Sequence, residues 1–215
     1  MHLLLPKEGN MTGSVDDIRE DIAFLKSLAL EGGAATPRGG GILALAGIVY
    51  AGASVTQWAA ERGILPVGAW GLPLIWLGAT GVFLVGLFLL LPRQSGAAKT
   101  ASARAMGEVW RSVGLSIFAI AVAFVIAASV SNHWIIMALM APVVLALYGG
   151  AWSVGARFTK IGWVKLMPWL CFLAAIGTAA MIGRSEQYLV YAGTLVVVAI
   201  APGLALAVSK PVAQA

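Results

Sequence analysis

Residues 112–156 run for 45 positions without an Asp, Glu, Lys or Arg. Four other windows are equally free of charge: 39–60, 63–92, 166–183 and 187–209, with 22, 30, 18 and 23 residues. A helix needs about 20 apolar residues, at 1.5 Å each, to cross a bilayer. Four windows therefore hold one crossing helix each, and the longest holds two with a turn between them. Ser129, Ser131, Asn132 and His133 are the polar cluster near its centre, and Ser and Asn favour turns because they bond their own backbone. The expected spans are 41–60, 71–91, 112–130, 134–152, 164–182 and 188–208. Composition agrees: 60% of residues are hydrophobic and 11% are charged, against about 25% charged in soluble domains. The expected fold class is an all-α polytopic membrane helix bundle of six transmembrane helices, arranged in chain order as three hairpins.

The basic residues set an expected orientation. With the N-terminus in the cytoplasm, twelve of the 14 Lys and Arg fall on the inner side, and only Arg62 and Arg184 fall outside. That asymmetry obeys the positive-inside rule. It places both termini in the cytoplasm and supports the span count, because one missed helix would scramble the alternation. Trp58, Trp70 and Trp134 fall near the outer boundary, and Trp110, Trp152 and Trp163 near the inner one, where amphipathic rings favour the interface. Small residues recur on one face of the first span (Ala44, Gly47, Ala51, Ser54) and of the third (Ser112, Ser116, Ala119, Ala123, Ala127). Such faces let helix backbones approach closely, and both are expected to pack within the molecule. Pro142 and Pro202 sit in the returning helices of the last two hairpins, which hints at a repeated unit.

The N-terminal part divides differently. Residues 1–13 read as disordered or as an over-annotated prefix, with Met11 an alternative start. Residues 14–33 read as a cytoplasmic amphipathic helix: Ser14 is a suitable N-cap, Asp17 stands three positions on, and Ile18, Ile22 and Leu25 form an apolar stripe. Asp16, Asp17, Glu20 and Asp21 crowd its first turns, where the helix dipole favours anions. The segment 15–31 carries a net −3, the wrong sign for lying on anionic lipid. It is expected to dock on the basic inner loops or on a partner through Ile18, Ile22, Leu25, Asp17 and Asp21. Residues 34–40 form a Gly-rich linker, 41–208 the six-helix transmembrane domain, and 209–215 a cytoplasmic tail.

The chemistry the chain lacks narrows its function. No ionisable residue lies near the centre of a span, which disfavours proton relays and ion-coupled carriers. Beyond the N-terminal segment the acids are Glu61, Glu108 and Glu186, which stand in separate places and do not form the convergent set that acid–base catalysis needs. One membrane histidine, His133, cannot supply two axial haem ligands. The lone Cys171 reads as a small hydrophobe, and no phosphate-binding loop is present. No enzyme activity, cofactor or metal is expected. Nothing interleaves aromatic and basic residues, so nucleic acid is not an expected partner. Neutral polar side chains remain: Gln187, Tyr191 and Thr194 share a face of the sixth helix, with Thr178 and Tyr148 on neighbouring helices. They are candidates for a ligand pocket, the alternative being interhelical hydrogen bonds.

The stretches Asp21-Ile22-Ala23-Phe24-Leu25, Pro142-Val143-Val144-Leu145-Ala146-Leu147-Tyr148-Gly149, Gln187-Tyr188-Leu189-Val190-Tyr191-Ala192 and Ala201-Pro202-Gly203-Leu204 resemble those of uncharacterised small bacterial six-helix integral membrane proteins. The resemblance implies a bacterial inner-membrane setting and carries no activity. The sequence thus leads to an expectation of a non-enzymatic scaffold, accessory subunit or regulator that binds through its N-terminal helix. Its expected partners are membrane lipids and another protein or a second copy. The alternative is a facilitator or carrier of a neutral or lipid-like solute.

Overall fold

The computed structural model describes residues 40–68, 70–94, 101–159 and 161–208. The amphipathic helix with Ile18, Ile22, Leu25, Asp17 and Asp21, the linker before Gly40 and the tail after Val208 lie outside the described residues. Six helices are long and apolar enough to cross a membrane, and among the described residues there is no strand. The first span is α1 (Gly40–Glu61), the second α2 (Gly71–Gln94) and the third α3 (Ala101–Ser131). The fourth opens with a 3-10 segment (Trp134–Leu139) and continues as α4 (Met140–Gly155). The fifth has a 3-10 turn (Gly162–Lys165) before α5 (Met167–Ala179). The sixth is α6 (Glu186–Leu195), a π-helical turn (Val196–Ile200) and α7 (Ala201–Val208).

Each turn at one end of the bundle holds a residue in the left-handed region: Gly63 at φ +69°, Asn132 at +57° and Gly183 at +85°. Such residues stop helices, because the reversed φ redirects the chain while the last carbonyls find late donors. Asn132 lies in the polar cluster that the sequence marks as a turn. We call this the turn end. Arg104, Arg111, Arg157 and Lys165 lie at or near the other, basic end.

Packing divides the spans into two kinds. In the first, fourth, fifth and sixth, 44%, 39%, 33% and 44% of the most apolar 18-residue stretch is buried. In the second and third the shares are 0% and 6%. The first span packs along the whole length of the sixth, and α4 packs most extensively on α5, so the tightest contacts join the first span to the sixth and the fourth to the fifth. Backbone proximity explains the first pairing. A Cβ on Gly203 would stand 2.6 Å from Ala44 N and 2.7 Å from Gly40 O, and one on Gly47 would stand 2.7 Å from Ile200 Cγ1. The small face of the first span is thus consumed in packing, as expected. That of the third is not: Ser112, Ala119, Ala123 and Ala127 are exposed and Ser116 is half-buried.

Aromatic rings attach the two outlying spans. Tyr50 stacks on Trp76 of α2 at 6.3 Å between centroids and meets Phe83 at 5.7 Å. Trp110 of α3 meets Tyr148 edge-on at 5.3 Å and Trp152 at 5.7 Å. Such pairs contribute about 0.5–1.5 kcal/mol beyond area burial. Trp152 differs from its expected role as an interfacial anchor: it is 3% exposed and belongs to the core.

Candidate functional site

Pro142 and Pro202 lie inside the fourth and sixth spans, and each removes a donor that the carbonyl four residues earlier would have received. Pro202 deprives Val198 O, and Pro142 deprives Ala138 O. Neither carbonyl is left bare. Trp152 Nε1 donates to Val198 O at 3.1 Å, and Gln187 Nε2 donates to Ala138 O at 2.8 Å. The exchange is reciprocal: the sixth span caps the break in the fourth, and the fourth caps the break in the sixth. In hydrocarbon a bare carbonyl costs several kcal/mol, because no water can satisfy it. The π-turn belongs to the same break, with the Ala201 N–H reaching back five residues to Val196 O.

The five candidate pocket residues do not act as one set. Gln187, 1% exposed, is committed to the cap on Ala138. Thr178 is fully buried and bonds its own helix at Ala174 O, 2.8 Å, and Ala175 O, 3.1 Å. Thr194 bonds Val190 O at 2.8 Å on a more exposed face. Tyr148 and Tyr191 are buried near each other in the core, 7% and 5% exposed. Neither hydroxyl has a hydrogen-bond partner among the described residues. Cys171 is fully buried beside Tyr148.

A second polar assembly stands at the turn end. Gln57 Nε2 donates to Glu61 Oε1 at 2.8 Å, and Trp76 Nε1 donates to Gln57 Oε1. Tyr188 stands beside Gln57 and Glu61. The Arg62 guanidinium donates to Glu186 Oε1 at 2.5 Å, both side chains being about half exposed. These contacts tie α2 and α6 to α1. An exposed ion pair of this kind contributes about 0–1 kcal/mol.

A third feature is a lateral groove of about 430 Å³ between α3 and α4 near the basic end. One wall carries Glu108, Ser112 and Ser116, and the other Ala146, Gly150 and Val154, each set at four-residue spacing. The sequence foreshadows its serines as part of a small-residue face, but not their exposure.

Among the described residues no three His, Cys, Asp or Glu side chains gather as a metal site. Glu61 and Glu186 flank Arg62 and Gln57, which neutralise or bond them. What this arrangement does well is fix helices against one another. Comparison with family models, with curated proteins and with solved structures finds no match.

Proposed function

We propose that this protein is a non-enzymatic membrane scaffold, accessory subunit or regulator. The observation that carries the reading is the reciprocal capping of Ala138 and Val198. The most buried polar side chain of the fourth-to-sixth contact, Gln187, is spent on closing a helix break rather than facing a ligand. Broken helices can form midplane binding sites when their freed carbonyls stay open; here both are closed by side chains.

The setting we propose is the bacterial inner membrane, with six passes as three hairpins in chain order and both termini cytoplasmic. The gathering of Arg104, Arg111, Arg157 and Lys165 toward one end supports that orientation. A reporter that is active only in the periplasm should stay silent when fused after Ala215, and activity there would sink the orientation. The recruiting element we propose is an amphipathic helix at 14–33. Its net −3 is suited to the exposed basic residues near that end, and its stripe Ile18, Ile22 and Leu25 to the exposed Phe158, Trp163 and Leu166.

A carrier of a neutral or lipid-like solute is the second reading, favoured by the unpartnered hydroxyls of Tyr148 and Tyr191. Copurification from native membranes separates the two. A stoichiometric protein partner that is lost on deletion of residues 14–33 supports the scaffold. A bound lipid or solute that is lost in Tyr148→Phe and Tyr191→Phe supports the carrier and contradicts the scaffold.

A further inference from the structure

Each of the four core spans brings one polar side chain to the same region of the interior. Tyr50 comes from the first span, Tyr148 from the fourth, Cys171 from the fifth and Tyr191 from the sixth. The three phenols stand within electrostatic reach of one another, and Cys171 lies beside Tyr148. Short hydroxyl side chains in the core satisfy themselves locally: Ser54, Ser153, Thr178 and Thr194 each donate to the carbonyl four residues earlier, at 2.7–2.8 Å. A tyrosine hydroxyl stands too far from its own backbone to do so, and it needs a partner from elsewhere.

Tyr50 has one weak contact, with Thr80 Oγ1 at 3.5 Å. Tyr148 and Tyr191, 7% and 5% exposed, have no hydrogen-bond partner among the described residues. Their oxygens are unpartnered without being sealed. Trp58 Nε1 is the one fully enclosed polar side-chain atom without a partner among the described residues, so each of the two tyrosine oxygens touches space that a water molecule reaches. That space is small. An aromatic side chain presents about 150–250 Å², so an exposure of 5–7% leaves at most about 18 Å² on each ring. This is contact for a water molecule or two and too little for a solute.

We propose that Tyr148 and Tyr191, with Tyr50, hold resident water at the centre of the bundle. Internal water binds where two to four polar groups converge and stays out of apolar cavities. Here three hydroxyls converge, with the thiol of Cys171 as a further weak donor. None of the four side chains is a carboxylate, amine or guanidinium, so nothing there counters the charge of an ion. A lipid tail supplies no hydrogen bond, whereas one water both donates and accepts. The water ties the core at a third level. Tyr191 lies one turn after Gln187, whose amide caps Ala138, and Tyr148 lies one turn before Trp152, whose indole caps Val198. The fourth and sixth spans are thus joined by a direct bond toward each end and by water between them. The node stands independently of the scaffold reading. It takes from the carrier reading the two hydroxyls that favour it, because water satisfies them.

Radiolysis of the full-length chain in lipid nanodiscs tests this, because hydroxyl radicals born from resident water oxidise the side chain beside it before they diffuse away. Mass spectrometry should find Tyr148 and Tyr191 labelled at least about fivefold faster than Trp152. That ring is as deeply buried, at 3% exposed, is no less reactive, and is bonded directly to Val198 O. The double variant Tyr148→Phe with Tyr191→Phe keeps both rings and removes both oxygens. In it the labelling of Cys171 should fall at least about fivefold while helix content stays unchanged. Tyrosine labelling no faster than that of Trp152, or Cys171 labelling that persists in the double variant, would overturn the proposal. So would native mass measurement that finds a solute on the parent chain and none on the double variant, since the hydroxyls would then belong to a carried ligand.

Discussion

The second and third spans have the highest mean hydropathy of the six and are the least buried, whereas the first and fifth have the lowest and are far more buried. In a water-soluble protein the order would be reversed, because burial follows apolarity. Lipid removes that driving force and leaves packing and polar satisfaction to decide which helices sit inside. The core spans therefore carry Gly40, Gly47 and Gly203 at backbone contacts, together with Gln187, Trp152, Ser54 and Thr178. The outlying spans carry Leu77, Val85, Phe88, Leu115 and Phe118 outward. They hold on through Trp76, Phe83 and Trp110.

The largest difference should come from glycine. Gly203→Leu drives a side chain into the backbone of α1, and overpacking against rigid atoms costs about 3 kcal/mol or more. A Cβ on Gly81 of α2 would meet nothing within 4 Å, and Gly81→Leu should shift stability by no more than about 0.5 kcal/mol. Thermal unfolding of the two variants in the same detergent measures the gap, and equal losses would erase the distinction between core and periphery. Next comes the capped break. Trp152→Phe leaves Val198 O bare and should cost about 1–3 kcal/mol. Pro202→Ala restores a backbone donor for that carbonyl, so the double variant should lose less than the sum of the single changes. Strict additivity in that cycle would mean that Trp152 matters only as a packed ring.

Smaller effects sharpen the contrast. Gln187→Leu, inside the core, should cost about 1–2 kcal/mol, above the average of about 0.6 for a membrane interhelical hydrogen bond, because Ala138 O is a proline-freed acceptor. Gln57→Leu, which unties α2, should lie nearer that average. Smallest of all, His133→Ala should change stability by less than about 0.5 kcal/mol, since its ring is exposed and touches only Ser131 O of its own turn. A larger loss at His133 would place a functional contact in the turn.

The span count was legible because charge cannot be hidden in lipid, and the turn at Asn132 because polar residues interrupt the longest uncharged window. Boundaries were less so. The third helix begins by Ala101, eleven residues before the expected start at 112, because a helix need not end where the hydrocarbon does. The prolines at 142 and 202 free two carbonyls, but nothing local in the sequence says which donors reach them. Gln187 and Trp152 are 49 and 46 residues from their acceptors, and only the packing of the fourth span beside the sixth brings them there. For the same reason the small faces of α1 and α3 look alike as sequence, yet one is buried and the other is open.

Four spans form a closed core and two spans lie outside it. Lipid-dissolved oxygen tests this directly, read through spin labels on single cysteines in chain carrying Cys171→Ala. Labels at Val82 and Phe88 of α2 and at Val122 of α3 should relax as fully lipid-exposed sites, while labels at Ala175 and Ala199 should be shielded. If Val82 and Phe88 prove as shielded as Ala199, the second span belongs to the core and the division into four inner and two outer spans is wrong.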